Sequence, residues 1–184
     1  MFLRHKKVNT NKFLEEMKKC KTMNVDHDLC LFSSFPSKYK TVDTLLVFST
    51  SSQTELTNID KLSKLFLEAM TDVIEVNNLK PTSCWSVSGE EGSYHRIHRH
   101  LPFDGEDVEK TNRVSTVLYL DAPSKTKIAD GDFYFVIKEG NEIKSYSIEP
   151  KVGDFIVMSA NVFHGTYPQS KGLRRTLNMD FIYV

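Results

Sequence analysis

"SCWSVSGEEGSYHRIHRH", residues 83–100, opens the part of the chain whose spacing decides the fold. Before it, apolar residues recur at helical intervals. From Ser83 onward polar and apolar positions alternate, the period of a strand with one face on a core. The alternation continues in "RVSTVLYLD", "DFYFVIKE", "EIKSYSIEP", "DFIVMSA", "VFHGTYP" and "RRTLNMDFIYV". Each run is short, rich in β-branched and aromatic residues, and bounded by turn chemistry. "KEGNE", 138–142, carries a hairpin signal. Many short strands in sequence indicate a sandwich or barrel. Helices gathered ahead of them give an α+β, mainly β layout: a jelly-roll barrel braced by N-terminal helices.

Two helices are expected upstream. In "NKFLEEMKKC", Phe13, Leu14 and Met17 make a short apolar face, with lysines toward the C-terminal end where the macrodipole favours them. In the second, Thr57 and Asp60 resemble a capping box, and Ile59, Leu62, Leu65, Phe66, Ala69, Val73 and Ile74 follow at helical spacing. Asn77, Asn78 and Pro81 stop it. "TLLVFST", 44–50, reads as a buried strand. The expected organisation is one domain over 1–184, with 1–82 a helical support containing a strand and 83–184 the barrel core.

Bulk properties narrow the classes. Lys and Arg number 24, as do Asp and Glu, so net charge asks for neither nucleic acid nor an anionic membrane. The N-terminus lacks the apolar run of about 7–15 residues that a signal peptide needs. No stretch approaches the ~20 apolar residues of a membrane span. Cys20, Cys30 and Cys84 are odd in number and widely spaced, which suits reduced thiols in a cytoplasm.

His98 and His100 share one strand face, while His95 has the opposite parity. His164 lies far along, in another strand-like run. Two ligands from one strand and a third from a distant one is how a β-barrel builds a facial metal site with open positions. Ordinary polar residues on strand faces are the competing reading. In "GLRRTLNMDF", Arg174, Thr176 and Asn178 share a polar face, while Arg175, Leu177, Met179 and Phe181 share the other. An arginine inside a barrel must meet an anion, and a carboxylate taken bidentately suits it. A surface arginine pair is the alternative. Trp85, the sole tryptophan, reads as core packing in preference to a substrate platform.

In this order of segments, residues 83–184 resemble the iron(II)- and 2-oxoglutarate-dependent dioxygenases, above all the prolyl-hydroxylase-like branch and its compact phage and bacterial relatives. "WSVSGEEGSYHRIHRH" looks like the strand pair with the first metal motif. "RVSTVLYLD" resembles the next strand, whose cosubstrate-contacting tyrosine falls at Tyr119. "DGDFYFV" resembles a Gly-Gly-x-Leu-x-Phe segment, with Asp130 in place of one glycine. "IEPKVGDFIVMSANVFHGTYP" is similar to the Pro-x-x-Gly strand and distal histidine motif, and "RRTLNMDF" to Arg-x-Ser/Thr. No one motif is specific, but His164 follows His98 by 66 positions and the set keeps the family's order.

The resemblance implies a double-stranded β-helix. It implies Fe(II) held by His98, His100 and His164, and 2-oxoglutarate as cosubstrate, its far carboxylate on Arg174, Thr176 and Tyr119. Dioxygen is consumed, succinate and CO2 are released, and a C–H bond is oxidised, most simply by hydroxylation. The substrate stays open among a protein side chain, a small metabolite and a nucleobase, the neutral charge mildly disfavouring the last.

The sequence departs from the family at His100, where Asp or Glu is usual. A neutral imidazole leaves a ferrous site one positive charge higher. Asp104 and Glu106, in "LPFDGED", are alternative second ligands. A cupin-type metal enzyme is the first rival class, since Gly92 precedes His98-x-His100 at cupin spacing. Pro150 and Gly153 stand too far from His164 for that motif, and cupins do not require Arg174. A non-catalytic ligand-binding barrel is the second rival.

Overall fold

Alternating strands that each present one apolar face must bury those faces against one another, and they do so as two opposed antiparallel sheets. The computed structural model describes residues 1–25, 52–100 and 112–184. The expected strand 44–50, Asp104 and Glu106 lie outside the described residues. The elements run β1 (Leu3–Lys7), α1 (Asn11–Met17), β2 (Lys21–Val25), β3 (Ser52–Thr57), α2 (Asp60–Met70), β4 (Leu79–Gly89), β5 (His95–His98), β6 (Arg113–Asp121), β7 (Phe133–Glu139), β8 (Glu142–Ile148), β9 (Asp154–Ser159), β10 (Phe163–Thr166) and β11 (Arg174–Tyr183).

Seven strands form one sheet in the order β1-β9-β6-β11-β4-β3-β2, and four form the other in the order β5-β10-β7-β8. From β4 onward the chain passes back and forth between the sheets. β4, β6, β9 and β11 lie in the large one and β5, β7, β8 and β10 in the small one. This winding is the double-stranded β-helix that the family resemblance implies, built on the strands that the period-two runs expose. The β7–β8 hairpin turns at Gly140–Asn141, where Gly140 takes φ 62°, a value glycine adopts without strain.

Strand parity sorts β11 into two faces. Leu177, Met179 and Phe181 join Leu62, Phe66 and Met70 of α2 in the outer core. Phe66 is fully buried, with its ring 5.2 Å from Phe13, 5.8 Å from Phe155 and 6.5 Å from Phe181. Between the sheets a second core of Val117, Tyr119, Phe133, Ile156, Met158 and Val162 fills the barrel.

Several local expectations shift. Thr57 ends β3 instead of capping a helix. Asn58 turns the chain at φ 60°, and Asp60 opens α2 without a side-chain cap, its charge placed well for the helix dipole. The helix closes at Met70, so Val73 and Ile74 pack on the core from the turn that follows. α1 ends at Met17, leaving Lys18 and Lys19 beyond its last turn. β4 begins at Leu79 and contains Pro81, which sits where its register with β11 shifts, a place that tolerates a residue without an N–H. The N-terminal region also supplies three strands, β1, β2 and β3, to the large sheet. No helix among the described residues is long and apolar enough to cross a membrane.

Candidate functional site

β5 and β10 pair with His98 directly opposite His164, which brings together residues far apart in sequence. His100 lies two residues past the end of β5. Its backbone N–H donates to the Ala160 carbonyl at 2.9 Å, so it continues along the barrel with the parity of His98. Ring centroids are 4.4 Å apart for His98 and His164, 5.1 Å for His100 and His164, and 5.4 Å for His98 and His100. One ring nitrogen from each of the three lies within 4.8 Å of the others.

Hydrogen bonds decide which nitrogen that is. Nδ1 of His98 donates to the Arg96 carbonyl at 2.8 Å, and Nδ1 of His164 to the Val162 carbonyl at 2.9 Å. Nδ1 of His100 donates to the carboxylate of Asp180, with both oxygens at 3.0 Å, and Ser115 Oγ lies 3.0 Å from the same nitrogen. A carbonyl or carboxylate can only accept, so each Nδ1 carries the proton and each Nε2 keeps its lone pair. Burial, then repulsion from His100, pushes the His98 imidazole down to about 4. Burial and the other two rings hold His164 well below the ordinary range. Neutral imidazoles with free lone pairs are the form that ligates a divalent transition metal. Three nitrogens on one side also leave positions open for other ligands. His95 is not one of the three: its ring lies 6.0 Å from that of His98, and its backbone N–H donates to Thr166 Oγ1 at 2.8 Å.

Arg174 begins β11 on the barrel face and is 2% exposed. Among the described residues Nη1 and Nη2 have no hydrogen-bond partner, and neither does the buried Tyr119 hydroxyl. Thr176 is opposite Tyr119 across the β11–β6 pair, and its Oγ1 accepts from Asn178 Nδ2 at 3.1 Å. Burial pulls the arginine below its usual range, yet a guanidinium does not give up its proton in a protein. Burial likewise drives the Tyr119 phenol up, so it stays a donor. Two unpartnered N–H edges and a hydroxyl in a buried interior fit one carboxylate. Arg175, on the opposite face, pairs with Asp121 at 2.9 Å.

The structure therefore gathers His98, His100 and His164 at one place, and Arg174, Tyr119 and Thr176 on neighbouring strands of the same interior. Trp85 differs from the core-packing expectation. It is half-buried on the site face, with its ring 5.5 Å from that of His100. Asp180 escaped the sequence reading altogether. The signal was available, because Asp180 is the next step of the Arg174, Thr176, Asn178 parity. Phe133 covers the other side, stacked on His164 at 5.6 Å.

No family model and no curated protein matches the sequence. Solved structures do match. A viral collagen prolyl hydroxylase from Paramecium bursaria Chlorella virus-1, in complex with 2-oxoglutarate, aligns over 100% of this chain and 97% of its own, with TM-score 0.53 and 13% identity. A Pseudomonas putida prolyl-4-hydroxylase aligns over 94% of this chain and 98% of its own, with TM-score 0.54 and 18% identity. HygX from Streptomyces hygroscopicus, with nickel, 2-oxoglutarate and hygromycin B bound, aligns over 96% and 88%, with TM-score 0.54 and 13% identity. The chain has the double-stranded β-helix fold of the 2-oxoglutarate- and iron-dependent oxygenases.

Proposed function

We propose that the protein is an Fe(II)- and 2-oxoglutarate-dependent dioxygenase that hydroxylates a C–H bond of its substrate. The overall balance is substrate, 2-oxoglutarate and O2 converted to hydroxylated substrate, succinate and CO2. The observation that carries this reading is Arg174, a buried guanidinium whose two terminal nitrogens lack partners among the described residues. A buried charge in that state is costly unless a ligand completes it. In the proposal His98, His100 and His164 hold the iron through Nε2. Arg174, with the Tyr119 hydroxyl and Thr176 beside it, binds the far carboxylate of 2-oxoglutarate.

When bound, the iron supplies dioxygen activation coupled to oxidative decarboxylation of the keto acid. The chain's own contribution is orientation and burial of the site. Carbonyl and carboxylate acceptors fix all three rings, Phe133 shields His164, and Trp85 sits beside His100 where a substrate would approach. A small molecule or a protein side chain is the favoured substrate class. We take 1–184 as one working domain and its setting as cytoplasmic, on the strength of the cysteine spacing. Anaerobic addition of Fe(II) and 2-oxoglutarate should give a visible metal-to-ligand charge-transfer band. Absence of the band refutes the proposal. Undiminished activity after replacement of Arg174 would instead favour a cupin-type enzyme that does not use the keto acid.

A further inference from the structure

We infer that Asp180 is the carboxylate of the metal centre, set one residue outward so that its charge reaches the metal through His100. The inference rests on the oxygenase reading above. His98 and His164 each lean on a neutral backbone carbonyl, at 2.8 Å and 2.9 Å. His100 alone of the three leans on a carboxylate, with both oxygens 3.0 Å from Nδ1. It is also the residue at the position where the resembled family places an acid. A His–Asp pair there restores the missing negative charge to the site as a whole. The carboxylate makes the imidazole a stronger donor and locks its tautomer, as partners behind metal-bound histidines do.

The backbone is shaped to deliver this contact. Asp180 stands on the inward face of β11 with Arg174, Thr176 and Asn178, opposite Ser83 of β4 and Ser115 of β6. The β11–β4 register shifts immediately after it, opposite Pro81, and Thr82 Oγ1 donates to the Asp180 carbonyl at 3.2 Å. Irregularities of this kind re-aim a side chain beside a site. Both partners are largely shielded, with side chains 13% exposed for His100 and 15% for Asp180. Asp180 is thus a positioning residue acting through His100.

Co(II) titration of metal-free protein tests this, with the cobalt absorption spectrum as the readout. Asp180→Ala should weaken Co(II) binding about 10–100-fold. Asp180→Asn keeps an oxygen to accept from Nδ1 but lacks the charge, so it should fall between Ala and wild type. Nitrogen-15 NMR of the metal-free wild type should show His100 protonated on Nδ1, with the proton redistributed in Asp180→Ala. Wild-type Co(II) affinity and an unchanged His100 tautomer in Asp180→Ala overturn the inference alone. Should the variants not fold, an Nε2–H tautomer in the wild type overturns it by itself. A wild type that binds no Co(II) removes the oxygenase reading, and this inference with it.

Discussion

Arg174 makes opposite predictions for binding and for stability, which separates a ligand contact from a structural one. In the ligand-free protein its charge is buried without a partner among the described residues, so Arg174→Leu should leave thermal stability equal or higher. With 2-oxoglutarate the order reverses. Losing two charge-assisted hydrogen bonds at about 1.5–3 kcal/mol each should weaken binding at least about a hundredfold. Calorimetry beside melting curves, with and without cosubstrate, reads both effects. His98 gives a pH signature at the same scale. Its folded-state value is about 4, against 6.5 for an unperturbed histidine. Between these limits the unfolded chain binds a proton that the folded chain refuses, so stability falls as pH drops from 6.5 toward 4. Urea unfolding of metal-free His98→Gln should show a shallower loss over that window than wild type.

Among the elements, the β6–β7 and β10–β11 connections are tied by backbone bonds such as Ser124 N–H to the Lys171 carbonyl, at 3.0 Å, and by the Asp130 side chain. The Asp130 carboxylate accepts from Thr126 Oγ1 at 2.6 Å, Thr126 N–H at 2.9 Å and Ser170 N–H at 2.6 Å. Gly131 beside it takes φ 67°, and a Cβ there would meet Pro123 Cγ at 2.6 Å. The Thr126 hydroxyl and then the backbone donors pull the Asp130 carboxyl down to about 2 from 3.8. A depressed carboxyl stabilises the fold fully above its unfolded value. That contribution fades as pH falls through the folded one. The stability advantage of wild type over Asp130→Asn should therefore be complete above pH 3.8 and vanish near pH 2 in urea titrations. The same loop shows where sequence reading stops. Asp130 is recognisable only as a replacement for a glycine, since its donors at 126 and 170 come from separate turns. Period two was enough to expose the sheets and the inward Arg174, Thr176 and Asn178. It could not reveal β1, "LRHKK", whose alternate positions His5 and Lys7 are not apolar and meet the buried Asp154 at 2.8 Å. Nor could it pair Asp180 with His100, because that contact crosses 80 positions of sequence.

At the scale of the whole molecule, β11 joins the two cores. Its outward Leu177, Met179 and Phe181 rest on α2, while its inward Arg174, Thr176 and Asp180 face the proposed site. In the proposed function the helical layer therefore supports the site from behind β11, away from the ligand contacts. Phe66 is the side chain where this support concentrates, ringed by Phe13, Phe155 and Phe181. Phe66→Ala should cost about 3–5 kcal/mol through lost burial and the cavity left behind, a large share of a typical domain's ~5–15 kcal/mol. Its effect on the site should be indirect. While the variant is folded, Co(II) and 2-oxoglutarate should bind with near wild-type affinity, since the residues proposed to hold them lie outside the outer core. Ligand at about a hundred times its dissociation constant should then return about 2.7 kcal/mol by mass action. The Phe66→Ala melting temperature should thus be low without ligands and recover markedly with them. A variant that is equally unstable with both ligands, or that binds them poorly while still folded, would show that the helical layer shapes the site directly.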